Sequence, residues 1–193
     1  MNTVVSRALP PGRGDSLRLL INFVGFQCGW FGCVLGAARG WPGAGAAMAA
    51  AIVATHVVRA ARPAMELKLV LCAVAIGAVW DSTLAATGWI SFSSGTLING
   101  LAPPWMLALW ALFAITLNVS LAWLKGRWFV AALLGAVSGP LSYWAGARLG
   151  ALSFAEPRAA LIALSAGWAI MTPLLVAAAQ RFNGVERGAI ARG

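Results

Sequence analysis

A histidine and two acids fall inside apolar stretches of this chain: His56, Glu66 and Asp81. Charge at membrane depth is costly, so each such group needs a partner, a cavity or a function. An imidazole titrates near neutral pH, and His56 with Glu66 could therefore handle protons or hold a polar headgroup. The plainer reading of the same pair is a hydrogen-bonded patch that ties helices together. For Asp81 the plain expectation is an ion pair with Arg148 or Arg39. Asn22, Gln27, Asn118 and Tyr143 complete the set of polar candidates within the apolar stretches. One histidine and two such acids do not make a convincing metal site, and no metal or other cofactor is expected. There is no Ser-His-Asp ordering, glycine-rich phosphate loop or Walker pattern. Cys28, Cys33 and Cys72 lack metal or redox spacing and read as small apolar packing residues. Asn118-Val119-Ser120 matches a glycosylation triplet but lies within an apolar segment, so it carries no weight.

The elements that must position these residues follow from composition. Of 193 residues, 61% are apolar and 10% charged, against roughly half and a quarter in an ordinary soluble domain. That excludes a soluble globular protein. Apolar segments at 17–38, 43–61, 65–87, 104–124, 128–148 and 159–180 are each long enough to span a bilayer. The expected fold is an all-α, polytopic membrane bundle of six transmembrane helices over 17–180. Tails at 1–16 and 181–193 flank it, and both termini are expected in the cytoplasm. The first segment follows Arg7, Arg13 and Arg18 as a signal peptide would, but its length favours an uncleaved helix.

With the N-terminus inside, the clusters around Arg13, Arg62, Arg127 and Arg187 bring eleven basic residues to the inner side. Only Arg39, Arg148 and Arg158 fall outside. This asymmetry fits the positive-inside rule and accounts for most of the +9 net charge without nucleic acid, for which no motif exists. Glu66 and Asp81, fifteen residues apart, stand about 22 Å apart along a helix and about 60° around it. They share a stripe with Ala73 and Gly77, so this face should meet other helices while Lys68 reaches the interface.

Ten tryptophans divide by depth. Trp41, Trp89, Trp105, Trp123 and Trp128 fall at segment borders, as interfacial belt residues do. Trp30, Trp80, Trp110, Trp144 and Trp168 lie deeper, where they either pack a core or line an aromatic cavity. The connection 88–103 mixes apolar residues with Ser and Gly and suits an outer interfacial segment that could cap the bundle. Pro140 and Pro173 should each release a carbonyl one turn earlier. Gly36-Ala37-Ala38-Arg39 and Gly146-Ala147-Arg148 echo each other too briefly to mark a duplicated half.

Four strings taken together resemble a known family. They are Asn22-Phe23-Val24-Gly25-Phe26-Gln27 with Trp30; Trp80-Asp81-Ser82; Pro104-Trp105-Met106 leading to Phe113-Ala114-Ile115-Thr116-Leu117-Asn118-Val119-Ser120-Leu121; and Gly139-Pro140-Leu141-Ser142-Tyr143-Trp144-Ala145-Gly146. Over about 18–180 the chain resembles the bacterial integral-membrane family called domain-of-unknown-function family 2878. The resemblance implies a small multi-pass protein of the bacterial inner membrane, in the context of membrane-lipid modification. It supplies no catalytic residues to carry over. The leading expectation is a lipid-binding or accessory protein of membrane-lipid metabolism, with membrane lipids and a membrane enzyme as partners. The alternatives are a membrane-embedded enzyme with His56 and Glu66 as acid and base, and a small-solute transporter using the acidic face of the third helix. An enzyme should gather His56, Glu66 and Asn118 around an open pocket. A transporter needs a polar route from them to Asp81, and a structural cluster should be fully paired.

Overall fold

Proline opens four of the six helices, because at the first helical position its missing N–H costs nothing and its fixed φ suits the helix. Pro42, Pro63, Pro104 and Pro157 stand there in the computed structural model, which describes residues 13–185. The helices are α1 (Arg13–Ala38), α2 (Pro42–Arg59), α3 (Pro63–Ala86), α4 (Pro104–Leu117), α5 (Trp128–Arg148) and α6 (Pro157–Arg181). Two short strands, β1 (Ile90–Phe92) and β2 (Leu152–Phe154), join the α3–α4 connection to the α5–α6 connection. They pair antiparallel, with Ser91 opposite Ser153. Of the tails expected at 1–16 and 181–193, residues 1–12 and 186–193, including Arg7, Arg187 and Arg192, lie outside the described residues.

The echo between the first and fifth segments is a shared way of ending a helix. The backbone N–H of Trp41 donates to Gly36 O (2.7 Å), and that of Ala151 donates to Gly146 O (3.0 Å). Gly40 and Gly150 supply the left-handed residue between them, with φ of 78° and 91°. These are the return bonds of a Schellman-type cap, which needs a positive φ that glycine adopts without strain.

The central element is α4. It packs against α1, α2, α3 and α6 and is apolar on nearly every side, as a helix surrounded by others must be. It is also shorter than the expected 104–124. At 14 residues it measures about 21 Å, less than the roughly 30 Å of a hydrocarbon core. The chain turns at Asn118, whose side chain bonds away from its own helix, and a 3-10 turn at Ala122–Leu124 follows. Four helices, α1, α3, α5 and α6, are long and apolar enough to cross a membrane by length and composition.

The hairpin α5–α6 and the hairpin α1–α2 flank α3 and α4, and α1 and α5 do not pack along one another. Pro140 leaves the carbonyl of Ala136 without its helical donor; the Ser165 hydroxyl of α6 donates to it instead (2.8 Å). The 88–103 connection is held in place rather than loose. Ser94 Oγ donates to Ala37 O (2.7 Å), and the Trp105 indole N–H donates to Ser94 O (3.0 Å). Trp105 is therefore a buried anchor and not a belt residue, while Trp41, Trp123 and Trp128 are exposed as expected. Leu97, Ile98 and Leu101 of this connection are also exposed.

Candidate functional site: a lateral cleft backed by a buried carboxylate

The polar candidates separate into two clusters at opposite ends of α3. At the end where α2, α4 and α6 finish, Glu66 is fully buried. Its Oε2 lies 2.9 Å from His56 Nε2, and its Oε1 accepts from the Asn118 amide (2.7 Å) and from the backbone N–H of Gly184 (2.9 Å). The Asn118 amide also donates to Phe182 O (3.2 Å), and Arg62 donates to Asn183 O. The residues after α6 are thus bound back onto α3 and α4. Asn22 belongs to this end but makes its own set. It donates to Ile115 O (3.0 Å) and accepts from the Ser120 hydroxyl (2.7 Å), joining α1 to the end of α4. Both oxygens of Glu66 are engaged, whereas the Asn118 Oδ1 is buried without a partner among the described residues. None of His56, Glu66 and Asn118 lines the cavity beside Asp81.

Asp81, the second cluster, is also fully buried. The Trp110 indole N–H of α4 donates to Oδ2 (2.7 Å), and the Tyr143 hydroxyl of α5 donates to Oδ1. The expected ion pair does not form. Arg148 lies instead over the Trp144 ring, 5.8 Å from its centroid, on the outside of α5, and no cation pairs with Asp81 among the described residues. Two neutral donors replace it because the stripe carrying Asp81 faces α4, where Trp110 is the polar group within reach. Glu66, Ala73, Gly77 and Asp81 are all buried and Lys68 is exposed, as expected for α3. The two clusters are not joined, because Ala73 and Gly77 occupy the stripe between them.

Beside Asp81 the bundle opens. A cavity of about 510 Å³ lies between α1 and α5, floored by α4 and α6. Such a volume falls in the ordinary range for a bound small molecule, roughly 300–1,000 Å³. Its walls are chiefly aromatic: Phe23, Phe26, Trp30 and Phe31 from α1, Trp110 and Phe113 from α4, and Trp168 from α6. Trp110 and Trp168 stack at 4.7 Å, and Phe113 meets Trp168 edge-on. The Trp168 N–H is buried without a hydrogen-bond partner among the described residues. At the end nearer the strands, the Trp30 indole N–H reaches across to Ser142 Oγ (3.0 Å) and separates this cavity from a much smaller one toward Leu152. Phe23, Phe31 and Leu141, which line the larger cavity, are exposed, so the opening faces sideways from the bundle between apolar side chains.

Of the deep tryptophans, Trp30, Trp110 and Trp168 line this space; Trp80 packs inside near Gly167 and Trp144 faces outward. Gln27 and Tyr143 are the two candidate polar residues on its wall. Sequence reasoning passed over Ser138, Ser142 and Thr172, which also line it. Ser138 and Ser142 are one helical turn apart on α5, and that spacing is the signal that marks a shared face. Among the described residues no group of three or more His, Cys, Asp or Glu could hold a metal ion.

These features define a class: an all-helical chain with four helices long and apolar enough to cross a membrane, a buried carboxylate held by neutral donors, and a sideways-opening aromatic cleft. The match to known families is narrower. Residues 19–174, most of the chain, match the family described as protein of unknown function (DUF2878), and the chain belongs to it. No curated protein and no solved structure matches it.

Proposed function

We propose that the chain is a multi-pass protein of the bacterial inner membrane that binds a lipid in the cleft between α1 and α5, as a carrier or as the accessory of a lipid-modifying enzyme. The observation that carries this reading is the cleft itself, which is aromatic inside and opens sideways between exposed apolar residues. A cavity reached through hydrocarbon is reached by molecules dissolved in hydrocarbon. Inside a bilayer, burying an acyl chain against protein gains little from the hydrophobic effect, since lipid tails are already apolar. Selection then comes from close packing and from the few polar groups on the wall. The six-span topology with both termini inside rests on the basic-residue asymmetry and on the hydrogen bonds that bring the start of α3 and the end of α6 together.

The acid–base reading of His56 and Glu66 gains no support, because Glu66 is committed to His56, to Asn118 and to the backbone after α6. The transporter reading lacks a polar route along α3. A photoreactive benzophenone residue at Phe26, on the cleft wall, tests the lipid reading against one at Val79, which is 71% exposed on α3. After illumination in membranes, position 26 should capture one or a few lipid species and position 79 the bulk mixture. Capture of the bulk mixture at both would sink the reading.

A further inference from the structure

The polar groups on the wall of the cleft have a definite hydrogen-bonding character. Tyr143 lines the cavity, is 5% exposed and gives its proton to Asp81, so toward a further partner its oxygen can only accept. Ser142, its neighbour, accepts from the Trp30 N–H and keeps its own proton to donate. Gln27 sits one turn from Trp30 on α1, and Ser138 one turn from Ser142 on α5, so both fall on the same stretch of the cleft. None of the twenty lining residues is charged. Asp81, a charge-bearing group, stands behind Tyr143 and Trp110.

Resting on the reading of this cleft as a lipid site, we propose that its ligand is a neutral long-chain lipid alcohol whose hydroxyl binds Ser142 and Tyr143 while its chain lies along the aromatic wall. A hydroxyl both donates and accepts, so it can give its proton to the Tyr143 oxygen and accept the Ser142 proton. An ester or ketone only accepts and would set its oxygen against that of Tyr143. A phosphate would enter a site that has no cation to balance it and a carboxylate close behind, at a large desolvation cost. An ammonium would find Asp81 enclosed by its two donors rather than open to the cleft.

The test uses the full chain in detergent and a hexadecanol bearing a chain-terminal diazirine. Unlabelled hexadecanol, methyl palmitate, hexadecyl phosphate and hexadecylamine serve as competitors. Saturable labelling should map to the end of the cleft remote from Ser142, around Phe23, Ser120 and Leu134, and hexadecanol should compete at a concentration about tenfold below the other three, as expected for one satisfied hydrogen bond. Ser142→Ala and Tyr143→Phe should each erase that preference. If Tyr143→Phe does not fold, Ser142→Ala carries the test, because it removes a hydroxyl without touching Asp81. Equal competition by all four, or tighter competition by the phosphate, ester or amine, overturns the ligand class but leaves the lipid site standing. Absence of saturable labelling between α1 and α5 overturns both.

Discussion

Asp81 shows how a single residue can be buried without a countercharge. A carboxylate removed from water must regain its hydrogen bonds, and Trp110 and Tyr143 provide two from different helices. Removing one donor leaves a buried oxygen unsatisfied. Tyr143→Phe should therefore cost about 1–3 kcal/mol of stability, read as a lower unfolding midpoint in detergent; an unchanged midpoint would mean that the Tyr143 bond contributes nothing. At the other end, Glu66→Ala leaves the Gly184 N–H without its acceptor and the Asn118 amide with Phe182 O alone. It should lower the folded amount by about 3 kcal/mol, whereas His56→Ala, at a partly exposed position, should cost less. Because the two residues share one bond, the double variant should be no worse than Glu66→Ala by more than a few tenths of a kcal/mol. Strictly additive losses would show that the two act separately.

At the scale of elements, α3 is the helix whose face the sequence described best. Two acids and two small residues on one stripe left only one orientation that buries both acids against other helices, and all four residues are buried. The closeness it allows is severe at Gly77, where any Cβ would overlap the Trp110 indole. Gly77→Val should thus force α3 and α4 apart, displace the donor of Asp81 and cost at least about 1–3 kcal/mol, measured as lost thermal stability. A neutral outcome would contradict the packing of these two helices. Helix starts were legible because proline and glycine act locally. The end of α4 was not, because Asn118 leaves the helix for partners 52 and 64 residues away, and apolar residues continue past it. The strand pair escaped for the same reason: three-residue strands at Ile90 and Leu152 have no periodicity to read, and their pairing exists only once α3 and α5 end side by side. Ion pairing of Asp81 was misjudged since opposite charge was weighed above the nearer neutral donors.

For the whole molecule, the central feature is a space rather than a cluster. The aromatic character of its wall was visible in the deep tryptophans, but its location between α1 and α5 depends on which helices fail to touch, and no local pattern carries that. Six spans with both termini inside predict an active cytoplasmic reporter at Gly193 and an active extracytoplasmic reporter inserted after Ile98, an exposed position in the α3–α4 connection; reversed activities would overturn the topology. The most direct measurement of the lipid-site account is an experimental density map of the full chain in lipid nanodiscs, with a bound antibody fragment to supply mass. The account expects α1 and α5 to remain apart and an elongated density to run between Phe26 and Leu134, ending at Ser142 and Tyr143. A map in which α1 packs directly against α5 and leaves no space between them would contradict it.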